Sequence, residues 1–229
     1  MQHIAFIMDG NRRWARENRL ESVTSGHKVG VDAVERTIKF CVKNGIKYLS
    51  LFAFSIENFR RSLLEKSFLF DLLSSSIKNQ IDLFTKHKIK VRFSGDRSLF
   101  PKQTLKSIEY IEEKTKEFDD FCVNVLFCYG SKQEIVSAVK SIAKKVECGE
   151  LKAEEVNEEA VRKEMWTDGI PDPDLIVRTG KTHRLSNFLL FQAAYSEIMF
   201  LDRHWPEIDE ECLDECVKEF YGLKRNFGK

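Results

Sequence analysis

The chain has 229 residues, 42% of them hydrophobic and eighteen of them Phe, which is ample for one large core. No Gly/Ser/Pro-rich linker divides it, so residues 1–229 read as a single α/β domain. A net charge of +1 argues against a general nucleic-acid binder, whose basic face moves the total well above zero.

In chain order, strand patterns fall at 3–8, 46–54, 89–94, 122–128, 174–179 and 197–201. A short helix opens at Arg12, Arg13 and Trp14, and longer helical patterns lie at 28–43, 63–87, 102–118, 131–147, 158–165 and near 209–221. Gly45 fits a C-cap and Pro101 a helix start. Mostly apolar strands separated by helices imply a mostly parallel six-stranded sheet covered on both faces. The cysteines at 41, 122, 128, 148, 212 and 216 form no CxxC pair and read as reduced core thiols rather than metal ligands. The first strand starts at the third residue and no apolar run reaches bilayer length, so the expectation is a soluble, cytoplasmic protein without a signal peptide.

Ligands of such sheets collect at the carboxyl ends of the strands. After the first strand stand Asp9, Gly10, Asn11, Arg12 and Arg13, where a turn and a helix start present backbone N–H groups to an anion. Arginines suit phosphate oxygens, and a carboxylate beside them suits Mg²⁺. After the second strand come Ser55, Glu57, Asn58, Arg60 and Arg61; after the fifth, Arg178, Thr179, Gly180, His183, Arg184 and Ser186; Glu197 opens the sixth. One surface arginine is ordinarily just solvated, but recurrence at strand ends points to more than one phosphorylated group. Two simpler motifs fail. A phosphatase of the haloacid-dehalogenase type needs an aspartate where Ile7 stands, and a P-loop ending at Gly180-Lys181-Thr182 needs a glycine at Leu175.

Taken together, His3–Ala15, Gly26–Gly30, Leu51–Asn58, Asn124–Gly130, Pro173–Gly180, Arg184–Leu190, Ala194–Glu197 and Trp205-Pro206 resemble the cis-prenyltransferases, most closely the bacterial undecaprenyl diphosphate synthases. The resemblance implies a homodimer whose six-stranded sheet and helices enclose an apolar tunnel, and repeated cis addition of isopentenyl diphosphate to farnesyl diphosphate with Mg²⁺ as cofactor. It implies transient contact with a membrane surface for product release. It assigns catalysis to Asp9 and Asn58, and metal binding to Asp9 and Glu197, with Glu197 arriving in cis or across the dimer and His183 as a further contact. Substrate binding falls to Gly10, Asn11, Arg12, Arg13, Trp14, His27, Ser55, Glu57, Arg61, Arg178, Arg184 and Ser186, with Ser55, Asn58 and Arg61 on a mobile loop hinged near Glu65. Leu73, Ile77 and Ile81 are candidates for the tunnel wall.

Four positions depart from the usual pattern of that family. Arg12 replaces a glycine, Phe59 replaces a tryptophan, the loop Glu21–Ser25 lacks an arginine, and Asn226 stands where an arginine commonly precedes Phe-Gly. The resemblance implies undecaprenyl diphosphate as product, with a cis-prenyltransferase of different product length as one alternative; a non-catalytic partner subunit is another, and such a chain would be expected to lack Asp9 and the phosphate-binding arginines. A phosphohydrolase is a third, weakened by Ile7.

Overall fold

The computed structural model describes residues 1–22 and 24–224, so Asn226 lies outside the described residues. Six strands, all parallel, form one sheet: β1 (His3–Ile7), β2 (Tyr48–Ser55), β3 (Ile89–Ser94), β4 (Phe121–Tyr129), β5 (Leu175–Arg178) and β6 (Glu197–Phe200), in the order β3-β4-β2-β1-β5-β6. Helices α1 (Asn11–Glu17), α2 (Ser25–Lys43), α3 (Leu63–Lys86), α4 (Lys102–Thr115), α5 (Ser131–Glu147), α6 (Glu158–Lys163) and α7 (Glu210–Gly222) complete the layers.

Every residue of β1 is buried, because side chains alternate between two covered faces. Ile4 and Phe6 join the larger core cluster, which also takes in Ile38, Leu69, Ile108 and Phe220 from four helices. Ala5 and Ile7 join the smaller one with Ile176, Phe188 and Leu189. Each fully buried large side chain contributes roughly 1.5–3 kcal/mol. Five of the six cysteines are buried and all are free. Among the described residues no helix is long and apolar enough to cross a membrane.

Boundaries differ from the sequence pattern where local bonds decide them. The β2 strand begins at Tyr48 rather than 46, because Ile46 N–H bonds the Cys41 carbonyl and Gly45 N–H bonds the Val42 carbonyl, closing α2 in a Schellman turn. Gly45 takes the left-handed φ of 68° which that turn requires. The start of α2, three residues earlier than its periodicity suggested, rests on tight packing: a Cβ at Gly26 would lie 2.0 Å from the Asn11 carbonyl oxygen. At the end of α6, Met165 N–H bonds Arg162 three residues back, and the tighter turn stops the helix at Lys163.

A polar ladder crosses four strands beneath the site. His3 Nε2 meets Ser50 Oγ at 2.9 Å, Asn124 Nδ2 donates to Ser50 Oγ at 3.2 Å, and Ser94 Oγ donates to Asn124 Oδ1 at 2.7 Å. His3 Nδ1 lies 2.7 Å from the Pro171 carbonyl oxygen. Burial pushes the His3 imidazole down to about 4, against a smaller opposing pull from that carbonyl. The unfolded chain therefore binds the extra proton first, and the stability is complete above pH 6.5 and lost as pH falls toward 4. Between pH 7 and pH 5 the native protein should lose about 2 kcal/mol more than a His3→Gln variant, read from urea midpoints. Parallel pH profiles for the two proteins would show that His3 is not the titrating group.

Candidate active site

Strands β1 and β5 are neighbours, with Ile7 opposite Arg178, so the turn after β1 is placed against the end of β5. Thr179 staples that turn: it accepts from Asp9 N–H at 3.0 Å and donates to the Asp9 carbonyl at 2.7 Å. Trp205 N–H donates to the same carbonyl at 3.0 Å. Gly10 turns at φ 102°, and a Cβ there would lie 2.4 Å from His204 Nδ1, so only glycine fits. Its N–H bonds Asp9 Oδ1 at 2.7 Å and holds the carboxylate outward.

The Asp9 carboxylate is shared by two guanidiniums. Arg178 Nη2 donates to Oδ2 at 2.9 Å, and Arg13 Nη2 lies 3.1 Å from Oδ1. Burial works to raise the pKa of Asp9, but the Arg178 bond, the charges of Arg13 and Arg178 and the Gly10 N–H outweigh it and hold the carboxyl below its usual range. The Arg178 side chain is only 5% exposed. Its Nη1 donates to the Arg184 carbonyl and to Ser186 Oγ at 2.8 Å, and Arg184 Nε donates to the same hydroxyl at 3.2 Å. One buried charge thereby ties Asp9 to the Arg184–Ser186 loop.

On the other side of Asp9 lies a cleft of ≈ 340 Å³ lined by Arg12, Arg13, Arg16, Arg61 and His27. Glu65 partly balances it, 3.1 Å from Arg61 and 3.6 Å from Arg12. Burial first, then the charges of Arg61 and Arg12, push His27 down to about 4, so its imidazole is neutral near pH 7. Six buried side-chain polar atoms have no hydrogen-bond partner among the described residues; Asn11 Oδ1, Arg12 Nε and His27 Nε2 belong to residues of this cleft, and Arg178 Nε to the arginine that binds Asp9 from the other side. Unsatisfied groups of this kind call for a ligand. The two guanidinium Nε–H groups want an acceptor, which an anion supplies, whereas Asn11 Oδ1 wants a donor.

The mouth opens into a cavity of ≈ 660 Å³ between the sheet and α2 and α3. Asp9, Arg178 and Arg184 stand at one end, and the lining of α3 continues to Phe84, fifteen residues or about 22 Å beyond Leu69. Leu73 and Ile77 line this cavity, whereas Ile81 packs against the core. A polar, cationic head and a long apolar body suit an amphiphile carrying diphosphate.

The structure therefore brings Asp9, Asn11, His27, Ser55, Glu57, Asn58, Arg61, Arg178, Arg184 and Ser186 around one cavity, with Gly10, Arg12 and Arg13 in the adjoining cleft. Ser55 leads into a turn of 3₁₀ helix at Ile56–Arg60, where Asn58 Oδ1 accepts from Ser55 N–H at 3.3 Å. Phe59 stacks edge-on against Phe54 and lies under Lys66, so the aromatic surface serves without an N–H. Trp14 and His183 line neither space, and His183 packs against Phe200. Glu197 pairs with Leu175 at the amino end of β6, three residues or about 10 Å from the edge where Arg178 ends β5. Within a single chain it is not beside Asp9. Thr179, Asn187 and His204 also shape the site; the first two adjoin Arg178 and Ser186 in the sequence, while His204 carries no sequence signal.

Among the described residues no group of three or more His, Cys, Asp or Glu could hold a metal ion. The donor set fits Mg²⁺ nonetheless, because that ion is commonly held by one or two carboxylates, waters and substrate phosphates rather than by a protein cage. Asp9, half-buried and ionised at the mouth, offers such a carboxylate.

Residues 7–228 match the family described as putative undecaprenyl diphosphate synthase. An isoprenyl transferase of Oceanobacillus iheyensis is 40% identical over 226 residues, covering 99% of this chain and 89% of that protein. A ditrans,polycis-undecaprenyl-diphosphate synthase of Shewanella oneidensis, farnesyl-diphosphate specific by name, is 40% identical over 227 residues, covering 99% and 82%. The crystal structure of lavandulyl diphosphate synthase from Lavandula x intermedia, in complex with dimethylallyl diphosphate, superposes with a TM-score of 0.96 at 31% identity, covering 100% and 98%. With the sheet, the arginine-flanked aspartate and these likenesses in agreement, the chain belongs to the undecaprenyl diphosphate synthase family of prenyltransferases.

Proposed function

We propose that the chain condenses isopentenyl diphosphate units onto farnesyl diphosphate with cis geometry and makes undecaprenyl diphosphate. The observation that carries this reading is the pair of arginine sets flanking Asp9 at the head of an apolar cavity. Arg12, Arg13, Arg61 and neutral His27 hold the allylic diphosphate. Arg178, Arg184 and Ser186 hold that of isopentenyl diphosphate, with the forked hydrogen bonds that guanidiniums supply and lysines do not.

Asp9, the carboxylate between the two sets, would hold Mg²⁺, and when bound the ion would supply neutralisation of charge on the departing diphosphate. The C–O bond of the allylic substrate breaks toward the arginine cleft, and the new C–C bond forms at the carbon it leaves. Apolar walls from α2 and α3 exclude water that would quench an allylic cation. The proton lost from isopentenyl diphosphate passes to a diphosphate oxygen or a side chain at the mouth. Asn58, a neutral amide already bonded to Ser55, positions substrate rather than taking that proton. The lengthening chain moves along α3. We further propose that two copies associate, with Glu197 reaching the partner's site, and that the cytoplasmic enzyme touches the membrane surface transiently to release its product.

Purified protein incubated with farnesyl diphosphate, labelled isopentenyl diphosphate and Mg²⁺ should yield a metal-dependent ladder ending at the undecaprenyl length. No incorporation, with other starters tried, would overturn the reading in favour of a non-catalytic subunit. Asp9→Ala should cost about 10²-fold or more in turnover while circular dichroism stays native. Arg178→Ala should raise the KM for isopentenyl diphosphate by about tenfold or more, the scale of a lost charged hydrogen bond, and an unchanged KM would remove Arg178 from that pocket. Ile77→Trp should shorten the ladder by narrowing the cavity; a full-length product would place the growing chain elsewhere.

A further inference from the structure

Asn187 makes contacts that neither diphosphate set accounts for. It lies in the left-handed region at φ 66°, which asparagine tolerates better than most residues. Its Oδ1 accepts from Lys132 N–H at 2.8 Å, and its Nδ2 donates to Gln133 Oε1 at 3.0 Å and to Glu57 Oε1 at 2.9 Å. Its own carbonyl accepts from Ser131 N–H at 2.8 Å. Gly130 leaves room for this amide, since a Cβ there would come within 2.7 Å of Nδ2.

The bond to Glu57 joins the two walls of the cavity mouth. On one side, Asn187 directly follows Ser186, the hydroxyl that Arg178 and Arg184 share. On the other, Glu57 belongs to the Ile56–Arg60 turn, which sits between Ser55 and Arg61. Glu57, which the resemblance places among the substrate-binding residues, lines the cavity mouth with a negative charge, and like charges repel at contact distance, so we read its part as one played through its neighbours. As an ionised carboxylate it offers only acceptor oxygens, and the Asn187 amide takes one of them.

We propose that Asn187 is a positioning residue which, through Glu57, couples the isopentenyl diphosphate pocket to the allylic diphosphate pocket, so that filling either one orders the wall of the other. The inference rests on the two-substrate reaction proposed above. Such coupling is reciprocal: each ligand tightens the other by the same factor.

Titration calorimetry on the full chain with Mg²⁺ measures that factor, using isopentenyl diphosphate with and without a thio analogue of farnesyl diphosphate whose leaving group is retained. The native protein should show a factor of about five or more. Glu57→Ala should bring it close to one. So should Asn187→Asp, which keeps the left-handed tolerance and the Lys132 contact but sets a second carboxylate against Glu57. Glu57→Gln preserves the acceptor oxygen and should retain the native factor. A role for the Glu57 charge in holding metal or substrate would instead make Gln as damaging as Ala, and that result overturns the proposal. A native factor surviving in Asn187→Asp overturns it equally. Failure of the native protein to bind either diphosphate would sink the reaction reading first, and is distinguishable from both.

Discussion

One carboxylate shared by two arginines organises this molecule. Asp9 sits on the turn after β1, Arg178 on the end of β5, and Arg13 on the first turn of α1. Arg178 is the buried member, and separating it from Asp9 would leave a buried charge without its carboxylate, which is far costlier than losing an ordinary surface contact. The parallel register of β1 and β5, the Thr179 staple and the glycines at 10 and 180 all serve that junction. At Gly180 a Cβ would come within 2.6 Å of Arg13 Nη2. A methyl group there would push Arg13 off the carboxylate.

From this junction the structure divides by polarity. Guanidiniums crowd the carboxyl edge of the sheet, and the space between sheet and α3 is apolar for most of its length. That division is a direct result of the fold. Strand ends release polar loops at one edge, while the strand bodies supply two continuous hydrophobic faces. An amphiphile with a charged head is then bound by both parts of the protein at once.

Much of this was legible in the sequence because it depends on local pattern. Six apolar runs separated by helical periodicity define the layers, and polar residues immediately after the first, second and fifth runs mark the site. What was not legible depends on neighbours far apart in the chain. Nothing near Glu197 says that it opens β6 at the end away from Asp9; that follows from pairing with Leu175. Nothing near His204 says that its ring fills the space beside Gly10. Leu73, Ile77 and Ile81 share a helix face by spacing, yet only the first two line the cavity, a separation that depends on what α3 packs against rather than on its own pattern. Asn187 reads as an ordinary loop residue until its amide is seen to reach two other segments.

The shared carboxylate also acts as a built-in counter-ion. Asp9 sets one negative charge between two guanidiniums, so it offsets half of their charge and holds both side chains in place. Under the proposed reaction, a diphosphate arriving with a divalent cation would make a two-way exchange, its oxygens meeting the arginines and its cation the carboxylate. No charge is left stranded in that trade. Under the proposed reaction the turn would favour an anion that brings its own cation over one that does not, a preference set before any hydrocarbon enters the cavity.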